Sequence, residues 1–354
     1  MTLETAMESI MESTLESAIP SHLRCPRSRQ RRVPDDYVPP YPSFVARHAS
    51  SVTRVVMAYF GIQYGSDVGA AEPALAHITQ AFAAADGPGH WDRARWTDAT
   101  GAGSLVCAAY WDDTARFDAW FSVHGAAWTR TARPGVGTFT EVLRPSVERY
   151  ETLFSAPDQA EGIAALAHGM SEAVMEHAYW GGARDRIPAS QTDAMQPRGA
   201  PTVLRDAARV TVKAHDHLCL IRSGQDWGDT DADERVMYVG DVEPTLRAGM
   251  DFLRDDGLAI GCIANRYMVV EDAAGRPTDK SYGMSWWKSL AALERWAESH
   301  PSHVAIFGAA MKYLSALGPA AKLKFYHEVT VALADEQFFE YLNCSEGTGL
   351  LRAA

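Results

Sequence analysis

The sequence predicts an α+β fold made of two ferredoxin-like βαββαβ repeats, and three paired landmarks predict it. The first pair is Trp111-Asp-Asp-Thr-Ala-Arg-Phe-Asp-Ala-Trp120 and Trp287-Lys-Ser-Leu-Ala-Ala-Leu-Glu-Arg-Trp296, each with tryptophans nine residues apart. Each follows another aromatic residue (Tyr110, Trp286) and continues with apolar residues at helical spacing. The second pair is Glu72-Pro-Ala-Leu75 and Glu243-Pro-Thr-Leu246, with proline in a first helical turn, where its missing N–H costs nothing. The third pair is Phe139-Thr-Glu-Val142 and Tyr326-His-Glu-Val329. The pairs recur in one order at offsets of roughly 171 to 187 residues, which is the mark of an internal duplication.

Each half therefore reads strand, helix, strand, strand, helix, strand. The first strand is expected over 53–64 or 208–221, where β-branched residues alternate with others. The first helix follows the Glu-Pro. Middle strands are expected over 104–111, 259–270 and 281–287. The second helix carries the tryptophan pair. The last strand is expected over 138–143 or 323–333, leading into an acidic, aromatic helix. Two such units can close their sheets into an α/β barrel, and their edge strands favour closure or a homodimer. The chain divides into an N-terminal extension with a Pro/Arg-rich arm (1–44), a first repeat (45–155), a connector (156–205) and a second repeat (206–354). Within the connector, the stretch from Arg184 to Pro201 is rich in Pro, Gly, Arg and Gln and reads as a loop.

Composition narrows the function classes. Of 354 residues, 47% are hydrophobic and 22% charged, the balance of a globular protein with a full core. A net charge of −12 argues against a nucleic-acid surface. The basic run from Arg24 to Arg32 reads as a solvated or docked arm. No run of eighteen apolar residues suggests a spanning helix, and Glu4, Glu8, Glu12 and Glu16 do not suit a secretory signal. The repeated Met-Glu-Ser at Met7 and Met11 suggests an alternative start, with little structure over 1–15. Five cysteines without a Cys-x-x-Cys motif fit reduced thiols in the cytoplasm.

Two histidines of the second half lack a counterpart in the first. His303 aligns with Ala127, whereas its neighbour His300 is matched by His124 and reads as structural. His327 is the other, in Phe325-Tyr-His-Glu-Val329. Strand alternation puts Phe325, His327 and Val329 on one face and Tyr326, Glu328 and Thr330 on the other. An apolar strand face would desolvate His327 and keep it neutral, ready to take or give a proton near pH 7. The alternatives are a helix cap for His303 and a satisfied core histidine for His327. Ser223, Gln225 and Asp226, in Ile221-Arg-Ser-Gly-Gln-Asp-Trp227, suit hydrogen bonds to a small ligand at a strand end, or an ordinary turn. His215-Asp-His217 could chelate zinc but lacks a nearby third ligand, and surface alternation explains it equally. Arg186, in Arg184-Asp-Arg-Ile-Pro188, offers fixed N–H donors to an oxygen-bearing substrate, or a salt-bridged loop. Gly-rich phosphate loops and a Gly-x-Ser-x-Gly elbow are absent from the sequence.

Several segments in one order resemble the haem-containing aldoxime dehydratases, from about Ser17 to the end. They include Ser21-His-Leu-Arg-Cys-Pro-Arg27, Glu176-His-Ala-Tyr-Trp-Gly181, Arg184-Asp-Arg-Ile-Pro188 and Ser190-Gln-Thr-Asp193. They continue with Gly249-Met-Asp-Phe-Leu-Arg-Asp255, Glu294-Arg-Trp-Ala-Glu-Ser-His-Pro301, Tyr326-His-Glu-Val329 and Tyr341-Leu-Asn-Cys344. The resemblance implies a dimeric α/β-barrel-type haem fold and a non-covalent haem b, ferrous when active. The implied reaction is dehydration of an aldoxime, R–CH=N–OH, to a nitrile and water. It makes His303 the proximal haem ligand and places Arg186, Ser223 and His327 on the distal side, with His327 as general acid and base. Ser302 stands where the family pattern has threonine, and the loop from Pro188 to Arg209 is shorter, which bears on substrate preference. A haem peroxidase or chlorite-splitting enzyme and a non-catalytic haem or gas-binding protein are the alternative readings.

Overall fold

The computed structural model describes residues 15–353 except Asp35, so the Met7 and Met11 repeat lies outside the described residues. A short strand β1 (Ala46–Arg47) precedes the first half. That half runs β2 (Val56–Tyr64), α1 (Glu72–Phe82), β3 (His90–Thr97), β4 (Gly103–Trp111), α2 (Thr114–Trp120), α3 (Ala126–Arg130) and β5 (Val136–Leu143). The connecting region holds β6 (Tyr150–Phe154), β7 (Gly169–Met170), α4 (Gly182–Arg186), β8 (Thr202–Asp206) and β9 (Arg209–Lys213). The second half runs β10 (Leu218–Asp226), α5 (Ala232–Met237), α6 (Glu243–Asp255), β11 (Cys262–Glu271), β12 (Pro277–Trp287), α7 (Leu290–Ser299), α8 (Pro301–Leu317), β13 (Lys324–Ala332) and β14 (Gln337–Leu342). This is a mixed α and β fold around one antiparallel sheet of twelve strands, in the order β6-β13-β10-β12-β11-β3-β4-β2-β5-β14-β9-β8.

Within each half the strands lie fourth, first, third, second: β13-β10-β12-β11 and β5-β2-β4-β3. The halves join where β11 pairs with β3. The landmarks do matching work in the two halves. Pro73 and Pro244 sit in the first turns of α1 and α6. Trp111 packs on Trp120 at 5.3 Å, and Trp287 on Trp296 at 5.5 Å, each pair tying a strand end to the helix that follows. Asp113 and Ser289 cap those helices by accepting backbone N–H groups.

Two local expectations are corrected, and one strand was not foreseen. The stretch 208–221 is not one strand: it breaks at His215-Asp-His217, where His217 adopts φ 66°, and divides into β9 and β10. The third landmark leads into strands β6 and β14 rather than helices. In β14 Phe339 and Tyr341, two residues apart, enter the core while Phe338 packs on the other side, a period of two that a helix does not satisfy. His90–Thr97 forms a strand that its polar composition concealed. It spans the seam between the halves, where Arg93 and Arg95 pair with Glu271.

One face of the sheet packs against itself, and both halves supply that core through Tyr59, Tyr110, Phe139, Tyr282, Trp286 and Tyr341. A buried ion pair crosses it: Arg266 donates to both Glu141 oxygens at 2.7 Å. Trp286 Nε1 and the Tyr341 hydroxyl donate to the same carboxylate. Removing one partner leaves a charge in the core, so Glu141→Ala should cost about 3–5 kcal/mol in a denaturant titration. A loss below about 1 kcal/mol would contradict that reading of the core. The outer face of the sheet is covered by helices, with Trp287, Trp296, Leu253 and Val329 packed together in the second half.

Candidate active site

The outer face of the second half carries the site. The register aligns His327 on β13 with Ser223 on β10, Ser223 with Gly283 on β12, and Gly283 with Tyr267 on β11. Residues directly opposite share a face. The chain neighbours of His327 point the other way: Tyr326 receives a hydrogen bond from Arg222 and Glu328 one from Tyr110 in the shared core. Next to Ser223, Gly283 makes room for Met250, because a Cβ there would meet the Met250 sulfur at 2.7 Å.

Arg186 ends the short helix α4, and the following Ile187-Pro188 turns the chain away. Its guanidinium donates from Nε to Glu151 Oε2 at 2.6 Å, from Nη1 to the Glu176 carbonyl at 2.6 Å, and from Nη2 to His327 Nε2 at 2.8 Å. Glu151 Oε1 lies 3.0 Å from the same His327 nitrogen. One ring nitrogen cannot serve both partners at once. A neutral Nε2 accepts from Arg186, whereas a protonated Nε2 donates to Glu151. Either protonation state of His327 therefore finds a partner already in place.

Glu151 escaped the sequence analysis. Its one signal was a charged residue inside the short, largely buried Tyr150-Glu-Thr-Leu-Phe154 strand. Desolvation pushes its pKa up, but the charges and hydrogen bonds of Arg186 and His327 outweigh burial and hold it below the usual glutamate range. A lowered folded-state pKa adds stability that is complete above the unfolded value and fades as pH falls through the folded one. The stability difference between wild type and Glu151→Gln should therefore be largest near neutral pH and shrink below about pH 4.5. Thermal melts across pH measure it, and a difference that is constant or grows toward acid would contradict the charged assignment.

His303 stands in the first turn of α8, after His300, which accepts the Ser302 N–H as the N-cap. The His303 ring packs edge-on against Trp296 at 4.6 Å and Trp180 at 5.9 Å. Its Nδ1 is buried with no hydrogen-bond partner among the described residues. Burial lowers its pKa, offset in part by the Ala297 backbone, so the imidazole is neutral at pH 7. Beside it, Val304, Phe307 and Met311 repeat at helical spacing and leave an apolar strip 38–50% exposed. Trp180 borders that strip, 5.4 Å from Phe307. No hydrogen bond among the described residues joins His303 to the His327 cluster.

The other expectations resolve locally. His215 and His217 are buried rather than on the surface: one bonds the Lys288 carbonyl, and the other faces the Gln196 carbonyl and Asp193. No cluster of three or more His, Cys, Asp or Glu suited to a metal ion occurs among the described residues. No described helix is long and apolar enough to cross a membrane.

Residues 58–350 match the family model described as haem-containing dehydratase. The chain belongs to this family. Similar proteins include the aliphatic aldoxime dehydratases of Pseudomonas chlororaphis and Rhodococcus erythropolis, each 43% identical over 95% of this chain and 98% of the relative. The phenylacetaldoxime dehydratase of Bacillus sp. (strain OxB-1) is 31% identical, covering 91% of this chain and 94% of its own. A crystal structure of an aldoxime dehydratase superposes with a TM-score of 0.90 at 43% identity, over 96% of this chain and 98% of that one. A second, in complex with butyraldoxime, gives 0.90 at 42% identity, over 96% of each chain. The residues around His303 fit the family's haem. A neutral histidine beside an exposed apolar strip suits an iron porphyrin, which needs one nitrogen donor and apolar cover.

Proposed function

We propose that this haem-containing dehydratase converts aldoximes to nitriles and water, with His303 as the iron ligand and His327, Arg186 and Ser223 as the residues that act on the substrate. The observation that carries the reading is the Glu151–Arg186–His327 cluster, with Ser223 opposite the histidine. Bound haem supplies a ferrous iron able to take the oxime nitrogen and weaken its N–O bond. The chain's own residues manage the protons. Hydroxide is a poor leaving group, so His327 gives the departing oxygen a proton and then removes the proton on carbon. Arg186 can donate to an unprotonated Nε2 and Glu151 can accept from a protonated one, so the cluster serves both directions of transfer. Ser223 and Arg186 hold and polarise the oxime hydroxyl, where charge develops. His327 and Ser223 are partly exposed, whereas the side chains of Arg186 and Glu151 are buried, so Arg186 would reach the substrate oxygen along the Nη2 edge that it shares with His327.

Ser223→Ala and Arg186→Ala should each lower kcat/KM by about 10²-fold or more while haem stays bound, as measured by steady-state nitrile formation. Wild-type kinetics in both would remove them from the distal pocket. The reading as a whole is tested by anaerobic assays of reduced, haem-loaded protein with butyraldoxime and with phenylacetaldoxime. Nitrile from either supports it, and nitrile from neither refutes it.

The same reading covers the finer architecture. The matched landmarks and the shared strand order support two ferredoxin-like units closed into an α/β barrel. Strand β8 ends the sheet with Leu204 71% exposed, and this edge supports a homodimer. The free cysteines, three of them buried, support a cytoplasmic location.

A further inference from the structure

The basic arm at the N-terminus is docked, and where it docks is informative. It lies outside the stretch that matches the family model, 58–350. Yet it closes over the two acidic residues that flank the Arg186 segment. Asp185, the chain neighbour of Arg186, is 1% exposed, and its Oδ2 accepts the backbone N–H groups of Arg32 at 2.7 Å and Val33 at 3.0 Å. The Tyr179 hydroxyl donates to the same oxygen at 2.8 Å. Glu176 is 2% exposed and accepts the Ala18 N–H at 2.8 Å and the Ser17 hydroxyl at 3.1 Å. Its carbonyl receives Arg186 Nη1 at 2.6 Å. The Tyr37 hydroxyl adds a bond to the His177 carbonyl at 2.7 Å. Gly181, at φ 98°, lets the arm lie this close: a Cβ there would meet the Arg32 Cβ at 2.7 Å.

Asp185 has no ion pair among the described residues and Glu176 has only Arg31 Nη1 at 3.8 Å, so both buried carboxylates depend on donors from the arm, mostly backbone N–H groups. Take the arm away and both lose donors, so the segment 176–186 has reason to move. Arg186 is bonded to that segment at one end and to Glu151 and His327 at the other. We infer that Asp185 and Glu176, clamped by arm residues 17–37, are positioning residues for Arg186, so that the N-terminal arm is a working part of the active site. The inference rests on the proposed role of Arg186, and a displacement near 1 Å at such a residue is enough to cost on the order of 10²-fold in rate.

The test compares Asp185→Asn, Arg186→Ala and the double variant as haem-loaded proteins, measuring haem content, the Soret spectrum, kcat and KM. Asp185→Asn should keep haem bound, because the His303 donor and its Trp296 contact lie outside the segment 176–186; Trp180 within that segment packs on His303, so a small Soret shift is compatible with the clamp. Its kcat should fall by roughly ten- to a hundredfold with KM little changed, and in the Arg186→Ala background it should cost nothing more. A wild-type kcat in Asp185→Asn, or losses that multiply in the double variant, would overturn the inference while leaving the role of Arg186 standing. A wild-type rate in Arg186→Ala would overturn both. Should Asp185→Asn fail to hold haem, Arg32→Pro replaces it. That change deletes one N–H donor from an exposed arm residue, and it must lower kcat with haem content intact; an unchanged kcat rejects the clamp.

Discussion

Replacing His327 with alanine is expected to leave a protein that binds haem and scarcely turns aldoxime over. His327 lies on β13 with its ring held at Nε2 by Arg186 and Glu151, and it makes no contact with His303 among the described hydrogen bonds. Haem binding should therefore be preserved, with the Soret band of the wild type. Turnover loses the acid that protonates the leaving oxygen and the base that takes the carbon proton. One general acid–base group contributes about 10²–10⁴-fold, and a residue used twice in a turnover belongs at the upper end. The variant also leaves Arg186 and Glu151 facing each other without the imidazole. Their own bond at 2.6 Å remains, so the fold should survive and thermal melts should stay close to wild type. Single-turnover nitrile formation under argon measures the loss. A rate within about twofold of wild type would show that protons move by another route.

His303→Ala is expected to abolish activity for a different reason, by releasing the haem. The imidazole is neutral, buried on its Nδ1 side and wedged between Trp296 and Trp180, so it is fixed before any ligand arrives. Alanine removes the donor and leaves a cavity between two indoles. Purified variant should show no Soret band, and added haem should wash off on gel filtration. Imidazole supplied in solution should restore part of the band, because the apolar strip of Val304, Phe307 and Met311 is still there. Stoichiometric haem in the unsupplemented variant would place the iron ligand elsewhere.

The two histidine variants thus separate haem binding from proton transfer, and that separation follows from what the sequence did and did not disclose. The paired landmarks were legible because their tryptophans recur for packing reasons: Trp111 on Trp120 and Trp287 on Trp296 lock corresponding strand–helix corners. The face of His327 was legible because a strand alternates with period two, and Tyr326 and Glu328 do turn into the shared core. Arg186, Ser223 and His327 could be named singly, and the structure brings Arg186 and His327 into contact with Ser223 alongside. Glu151 could not be found that way. It meets His327 only because β6 pairs with β13, and nothing local in Tyr150-Glu-Thr-Leu-Phe154 reveals a pairing with a strand so distant in the chain. The arm was equally silent, since its contribution to Asp185 comes from backbone N–H groups that any sequence would supply. Strand β3 was hidden by the polar residues that make the seam ion pairs with Glu271.

The most direct measurement is the visible spectrum of the reduced, haem-loaded protein under argon, recorded before and after an aldoxime is added, with nitrile quantified in the same samples. The account predicts a Soret band that shifts on addition and returns as nitrile accumulates, and a shift without nitrile in His327→Ala. A Soret band that neither shifts nor yields nitrile in the wild type would contradict the proposed reaction.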